Sequence, residues 1–209
     1  IKALQQEAQR EEFPIDEEDY LRAGLTPTHP ILYAGSLTSR LGFFARDLGK
    51  DEVKAQQPLY GAAGRLVRRE VFQAVHQKEA VTKEDLESIL SHVLLTNTVP
   101  YKPPGNKAYL TAVKKRFRPF LEELLLSHWT GDQLITLGNE ALQWFKPYCK
   151  RDEFADFSKS ADRYTETLTI ILKSSDKESS FPERQVILAP LPHPSPLNQQ
   201  YYSRFPQML

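Results

Sequence analysis

Four short apolar runs govern what this chain can fold into: LGFFA at residues 41–45, HVLLTN at 92–97, QLITL at 133–137 and QVILA at 185–189. Each is short for a helix and too continuously apolar for a strand with one wet face, so each reads as a strand covered on both sides. Helical spacing fills the gaps. Residues 61–75 put Leu66, Val67, Val71 and Val75 on one face, and Thr82 caps a helix over 83–90 with Asp85 three residues on. Residues 108–128 carry a stripe of Val113, Phe117, Phe120, Leu121, Leu124 and Leu125, which Pro119 kinks without ending. A further helix is expected over 139–145 and a last one from Gln199, and TETLTIILK at 165–173 supplies a fifth strand. This alternation predicts an α/β fold, a three-layer α/β/α sandwich around a central, mainly parallel sheet. Its ligand site should lie at the carboxyl ends of the strands.

A chain of 209 residues is sized for one large domain with embellishments or two small ones. The reading here is an acidic helix and linker over residues 1–40, the helix at 16–24 followed by LTPTHP, and a main domain over 41–209. The start lacks Met and has no apolar stretch like a secretory leader, so it is expected to be processed or truncated, with no signal peptide. The longest uncharged stretch, residues 185–203, holds four prolines and cannot be a spanning helix, so a soluble, cytoplasmic protein with no membrane partner is expected. The single cysteine, Cys149, excludes an internal disulfide and a four-thiolate metal site, and five dispersed histidines show no i, i+4 pairing, so no metal is expected.

The 27 basic and 27 acidic residues cancel in sum but not in place. The first twenty residues carry seven acids and two bases, whereas residues 100–121 hold Lys102, Lys107, Lys114, Lys115, Arg116 and Arg118 and no acid. Arg65, Arg68 and Arg69 form a second basic block. Two uses stay open for such runs, a solvated helix face or phosphate contact.

Polar residues follow three of the strand runs: Arg46 and Asp47 after LGFFA, Asn97 closing HVLLTN, and His193 just beyond QVILA. Singly, these read as a cap, a turn residue and a loop histidine. A doubly wound sheet would bring them together.

The strings ARDLGKDE, QPLYGAAGRLV, LLTNTVPYKPPGNK, PFLEELL, LITLGNEAL and LAPLPHPSPLN, in this order and spacing, resemble the uracil-DNA glycosylase superfamily from about Leu41 to the C-terminus. The 61–67 segment and PPGN resemble the bacterial branch with an iron–sulfur cluster, while HPSPL resembles the typical uracil-DNA glycosylases. The resemblance implies a cofactor-free, monomeric enzyme of the bacterial cytoplasm that flips uracil out of DNA and hydrolyses its N-glycosidic bond; the alternative is a catalytically weak member of the superfamily that binds DNA or acts on another deaminated base. It implies that Asp47 orients the water, with Arg46 standing where the cluster-bearing branch has glutamate. Asn97 would read the uracil edge, and His193 would hydrogen-bond uracil O2 as the bond breaks. Leu59 or Tyr60, after Pro58, would take the stacking position, with Phe43 and Phe44 as aromatic alternatives. Ser195 would donate to phosphate, Leu197 would wedge into the duplex, and Lys102, Lys107, Lys114 and Lys115 would follow the DNA backbone. Tyr101 stands where a cluster cysteine would precede the Pro-Pro-Gly turn.

Overall fold

The structure is a computed structural model that describes residues 1–105, 107–195 and 198–209; Asn106, Pro196 and Leu197 lie outside them. Six strands make one sheet: β1 (Tyr33–Gly35), β2 (Leu41–Ala45), β3 (Val93–Asn97), β4 (Gln133–Leu137), β5 (Leu168–Leu172) and β6 (Arg184–Leu191), in the order β1-β3-β2-β4-β6-β5. The four inner strands β3, β2, β4 and β6 are parallel, and the two edge strands, β1 and β5, run antiparallel to their neighbours. Edge position explains β5: Leu168, Ile170 and Leu172 face inward while Thr169 and Ile171 face out. The inner strands are covered on both faces, as their continuous apolarity requires.

Phe43 and Phe44 show how the layers form. Consecutive side chains on a strand point to opposite faces, so each goes into a different core and both are fully buried. Phe44 joins Leu94, Leu134 and Leu188 under α6 (Thr111–Glu123), α7 (Asn139–Trp144) and α8 (Arg151–Lys159), through Leu121, Trp144 and Phe154. Phe43 joins Leu95 under α4 (Ala62–His76) and the C-terminal α10 (Phe205–Met208), through Leu66, Val67, Val71 and Phe205. Burying each ring contributes about 1.5–3 kcal/mol, which leaves no free aromatic face at either position for a bound base. The architecture is the expected three-layer sandwich.

Residues 1–40 do more than the sequence indicated. They supply β1, and α1 (Lys2–Arg10) and α2 (Glu17–Arg22) bury Leu4, Ala8 and Tyr20, with Ile31, against Tyr101, Tyr109 and Phe117. β1 leaves no signal in the sequence because three residues carry no usable period, and α1, α3 (Lys50–Ala55) and α8 leave little because they are short and largely polar. Among the described residues the remaining α-helices are α5 (Lys83–Ser88), capped by Thr82 as expected, and α9 (Gln199–Tyr202). α6 continues through Pro119 and closes in a π turn over Leu124–His128, where the Trp129 N–H reaches the Leu124 carbonyl at 2.8 Å.

The basic run on α6 resolves into structural and exposed members. Arg118 is buried, its guanidinium 4.1 Å from the Trp144 ring centre and donating to the Tyr148 hydroxyl at 2.8 Å. Arg116 bonds Glu7 at 2.7 Å and the Glu11 carbonyl at 2.8 Å, and lies over Phe13 and Phe117. Arg116 thus ties the acidic N-terminus to α6, whereas Arg118 packs on the Trp144 and Tyr148 side of the core.

Candidate active site

The ends of β2, β3 and β6 deliver Asp47, Asn97 and His193 to the lining of one cavity of about 630 Å³, beside Arg46, Leu59, Lys102 and Pro103. α2 contributes Glu18, Asp19 and Arg22 to the same lining and its N-cap, Asp16, joins them, so the N-terminal segment forms part of the wall.

The Asp47 side chain is 2% exposed. Its Oδ1 accepts from the Thr98 hydroxyl at 3.4 Å, its Oδ2 has no hydrogen-bond partner among the described residues, and the Arg46 Nε lies 3.8 Å from Oδ2. Burial pushes its carboxyl above the ordinary aspartate value of 3.8, against the pull of Arg46 and Lys114. Asn97 is equally buried, and its Oδ1 also lacks a hydrogen-bond partner among the described residues. A buried polar atom without a partner costs about 1–3 kcal/mol, so two at one cavity mark groups held ready for something other than the fold.

Thr98 fixes this corner. Its N–H reaches the carbonyls of Ala45 and Arg46, both at 2.9 Å, and its hydroxyl bonds the Arg46 carbonyl as well, clamping the end of β3 to the turn that carries Asp47. His193 is set by its own backbone: its carbonyl accepts from the Ser195 N–H at 2.8 Å and from the Asn198 side chain at 3.3 Å. Gly138, at φ 86°, lets the β4–α7 turn pass close by, because a Cβ there would lie 3.0 Å from the His193 Cβ. Burial, then the nearby Arg46, pushes the imidazole pKa down to about 4, so the ring is neutral at pH 7.

The segment 57–61 closes one side. Leu59 sits at φ 52° and is buried. Arg68 of α4, itself 1% exposed, donates to the Leu59 carbonyl at 2.9 Å, the Pro58 carbonyl at 3.3 Å and the Gln57 side chain at 3.0 Å. Gly64 is required here, since a Cβ would fall 2.0 Å from the Leu59 carbonyl. Glu52 of α3 accepts from the N–H groups of Gly49 at 3.0 Å, Tyr60 at 2.9 Å and Gly61 at 2.6 Å, joining the two loops with one carboxylate. Tyr60 does not line the strand-end cavity. The chain turns at Leu59, so the next side chain enters a neighbouring cavity between α4 and α5.

Of the residues expected to follow a DNA backbone, Lys102 is the clear correction. It is 3% exposed, with its ammonium 2.5 Å from Asp16 and 3.1 Å from Asp19 and donating to the carbonyls of Pro103 and Gly105. A buried, doubly paired ammonium cannot also meet a phosphate. Lys114 is ion-paired with Glu140 and little exposed, while Lys107 and Lys115 are exposed. Ser195 lies in the turn after His193, and Leu197 lies outside the described residues.

Tyr101 is fully buried, edge-on to Phe13 at 5.3 Å, with its hydroxyl donating to the Leu4 carbonyl at 3.1 Å. An aromatic cluster joined to the N-terminal helix therefore occupies this point, and with Cys149 as the chain's single cysteine a four-thiolate cluster does not fit these residues. Among the described residues no three His, Cys, Asp or Glu side chains group as a metal site, and no helix is long and apolar enough to cross a membrane.

Thr98 and Asn198 carry no signal in the sequence, and Arg68, Glu52 and the acids of α2 show there only as charges, without a place at the site. For Glu52 the usable signal is its place as the third residue of a helix opening after Gly49, where a carboxylate caps backbone N–H groups.

No curated protein sequence matches the chain. The family model for the Uracil DNA glycosylase superfamily matches residues 32–209, a span that includes β1, all three strand-end residues and the 57–61 segment. With the α/β/α sandwich and a polar cavity at the carboxyl ends of its parallel strands, the chain belongs to the uracil DNA glycosylase superfamily, a group of glycosylases of DNA repair.

Proposed function

We propose that this protein excises uracil from DNA by hydrolysis of the N-glycosidic bond, leaving an abasic site. The observation that carries the reading is the pair of buried oxygens without hydrogen-bond partners among the described residues, Asp47 Oδ2 and Asn97 Oδ1, at one cavity with a neutral His193.

A flipped uracil presents an N3–H donor and an O4 acceptor, and a side-chain amide matches both: Asn97 Oδ1 accepts from N3–H while its NH₂ donates to O4. Cytosine, with an amino group at C4 and no N3–H, mismatches. Asp47 holds a water against C1′ of the deoxyribose. As the C1′–N1 bond breaks, its electron pair moves into the uracil ring and onto O2, and the carboxylate faces the positive charge that develops on the sugar. A neutral imidazole suits the other end of this charge separation. His193 donates a hydrogen bond to O2 without giving up its proton, which a base leaving as an anion does not need. The water's oxygen joins C1′ and its proton passes to Asp47. Lys107 and Lys115 meet phosphates, Ser195 donates to another, and Leu197 fills the space the base vacates. The enzyme works as a monomer and without a cofactor.

Leu59 gives a specific reason to test other bases. An aliphatic wall offers apolar area without the stacking preference of an aromatic ring. The test is strand cleavage after alkali on single- and double-stranded oligonucleotides that carry uracil, hypoxanthine or xanthine. Uracil should be released fastest. No release of uracil from either form would sink the proposal, and faster release of another base would reassign the substrate.

A further inference from the structure

A second cavity, of about 550 Å³, lies on the other side of the Leu59–Tyr60 peptide, between α4, α5 and Tyr202. Four cations line it, Arg65, Arg68, Arg69 and Lys83, against one acid, Glu87. The long exposed side chains carry ion pairs, Lys83 with Glu87 at 3.4 Å beside the Tyr60 hydroxyl, Arg69 with the half-buried Glu70 at 3.3 Å and Arg65 with Asp51 at 4.0 Å. Such pairs hold little energy and exchange readily for a stronger anion.

Arg68 differs from the rest. Its guanidinium is buried, and after its three bonds to residues 57–59 the Nη1 atom has no hydrogen-bond partner among the described residues. A buried guanidinium with a spare donor favours an acceptor oxygen, and its planar fork matches phosphate. The rest of the lining is not that of a bare anion site. Tyr60, with the Arg68 guanidinium 5.3 Å from its ring centre, and Tyr202 offer flat faces, and Val81, 88% exposed, adds an apolar rim. Lys83 is kept charged by the Tyr60 hydroxyl first and then by Glu87, both of which raise its pKa.

We propose that this cavity is a nucleotide site, with the phosphate on Arg65, Arg68, Arg69 and Lys83 and the base against Tyr60 and Tyr202. A free mononucleotide and a nucleotide within a DNA strand present the same chemistry. The site stands independently of the excision reading, because none of its cations lines the strand-end cavity.

Isothermal titration with deoxyadenosine 5′-monophosphate, inorganic phosphate and an undamaged single-stranded oligonucleotide tests it, on the parent chain, on the double variant Arg69→Ala/Lys83→Ala and on Asp47→Asn. Both substituted cations are exposed, so the fold should be kept. The double variant should lose roughly tenfold or more in affinity, the range expected when charged hydrogen bonds are removed, while Asp47→Asn should lose none. Weakening seen with the mononucleotide supports a free-nucleotide site. Weakening seen only with the oligonucleotide supports a strand-binding site. Phosphate binding as tightly as the nucleotide overturns the role of the tyrosines. Parent-like affinity of the double variant for every probe, or no binding by the parent, overturns the site altogether.

Discussion

The two cavities share one peptide and differ in how they hold charge. At the strand ends the decisive groups are short side chains fixed by backbone: Asp47 through the Thr98 clamp, Asn97 as the last residue of β3, His193 through its carbonyl. Between α4 and α5 the charges sit mostly on long, exposed, provisionally paired side chains. The balance is also opposite, with six acids and four cations lining the first cavity and one acid and four cations the second. Preorganised buried dipoles act strongly on charge that develops during a reaction, whereas exposed cations attract an anion and then rearrange around it. The first arrangement is suited to chemistry and the second to capture, and substitutions should separate them.

Asp47→Asn should have the largest effect. On the proposed mechanism the single-turnover rate of uracil release falls by about 10²–10⁴-fold, while DNA affinity and nucleotide affinity at the second cavity stay near parental. The same change should raise the melting temperature. Asp47 has its folded pKa above 3.8, so the stability linked to its protonated form is present below that value and lost as pH rises through the folded pKa. Above the folded pKa the ionised carboxylate is a burden on the fold that the amide removes. A parental rate would move the water-orienting role to Asp51 or Glu52, which line the same cavity.

Asn97→Asp tests recognition in addition to rate. A protonated Asp would offer an acceptor to cytosine's amino group and a donor to its N3, reversing the pattern read by the amide. Uracil release should fall by at least about 10²-fold, since a site built for paired donors and acceptors penalises the wrong edge strongly. Cytosine release should appear only where burial keeps the new carboxyl protonated. Uracil release as fast as in the parent would remove Asn97 as the reader.

How much of this was legible in the sequence follows from the same contrast. The inner strands and the residues at their ends were readable because a buried parallel strand is an unbroken apolar run with a polar terminus, as in LGFFA followed by Arg46 and Asp47. Lys102 misled, because a basic run shows its charges and not their partners: Asp16 and Asp19 are more than eighty residues away in the chain and meet Lys102 only in the fold. Tyr60 misled for a local reason. Its place beside Leu59 suggested a shared role, and only the positive φ at Leu59 sends the two side chains into different cavities. Arg68 was visible as one member of a basic block, but nothing in the sequence distinguishes a buried guanidinium holding residues 57–59 from its exposed neighbours Arg65 and Arg69.

The pH dependence should distinguish the buried histidine from an ordinary one. The His193 pKa is about 4 against an ordinary 6.5, so the stability tied to its neutral form is present above 6.5 and is lost as pH falls toward 4. That loss amounts to about 3 kcal/mol in the limit, partly offset over the acid range by protonation of Asp47. The rate of uracil release should accordingly show no inflection near 6.5, and its acid limb should lie above 3.8, set by Asp47. In urea melts between about pH 7 and 4.5, His193→Asn should flatten the acid slope. A slope equal to the parent's would show that the ring is not held neutral by its site.

The smallest effect, and the sharpest test of where a DNA strand runs, is on salt dependence. Removing one cation that meets a phosphate should flatten the log–log plot of duplex affinity against salt by about 0.9. Lys115→Ala should do so because the side chain is exposed, whereas Lys114→Ala should leave the slope unchanged because its ammonium is engaged by Glu140. Arg69→Ala decides whether the second cavity belongs to the same path. A flattening by about 0.9 would run the strand from the strand-end cavity past Leu59 into the α4–α5 cavity, across the peptide that divides them. An unchanged slope, together with weaker mononucleotide binding, would make the two cavities separate sites with separate ligands. In that case the acid-rich lining of the first receives its base with no cationic help from the second, and steering rests on Lys107 and Lys115.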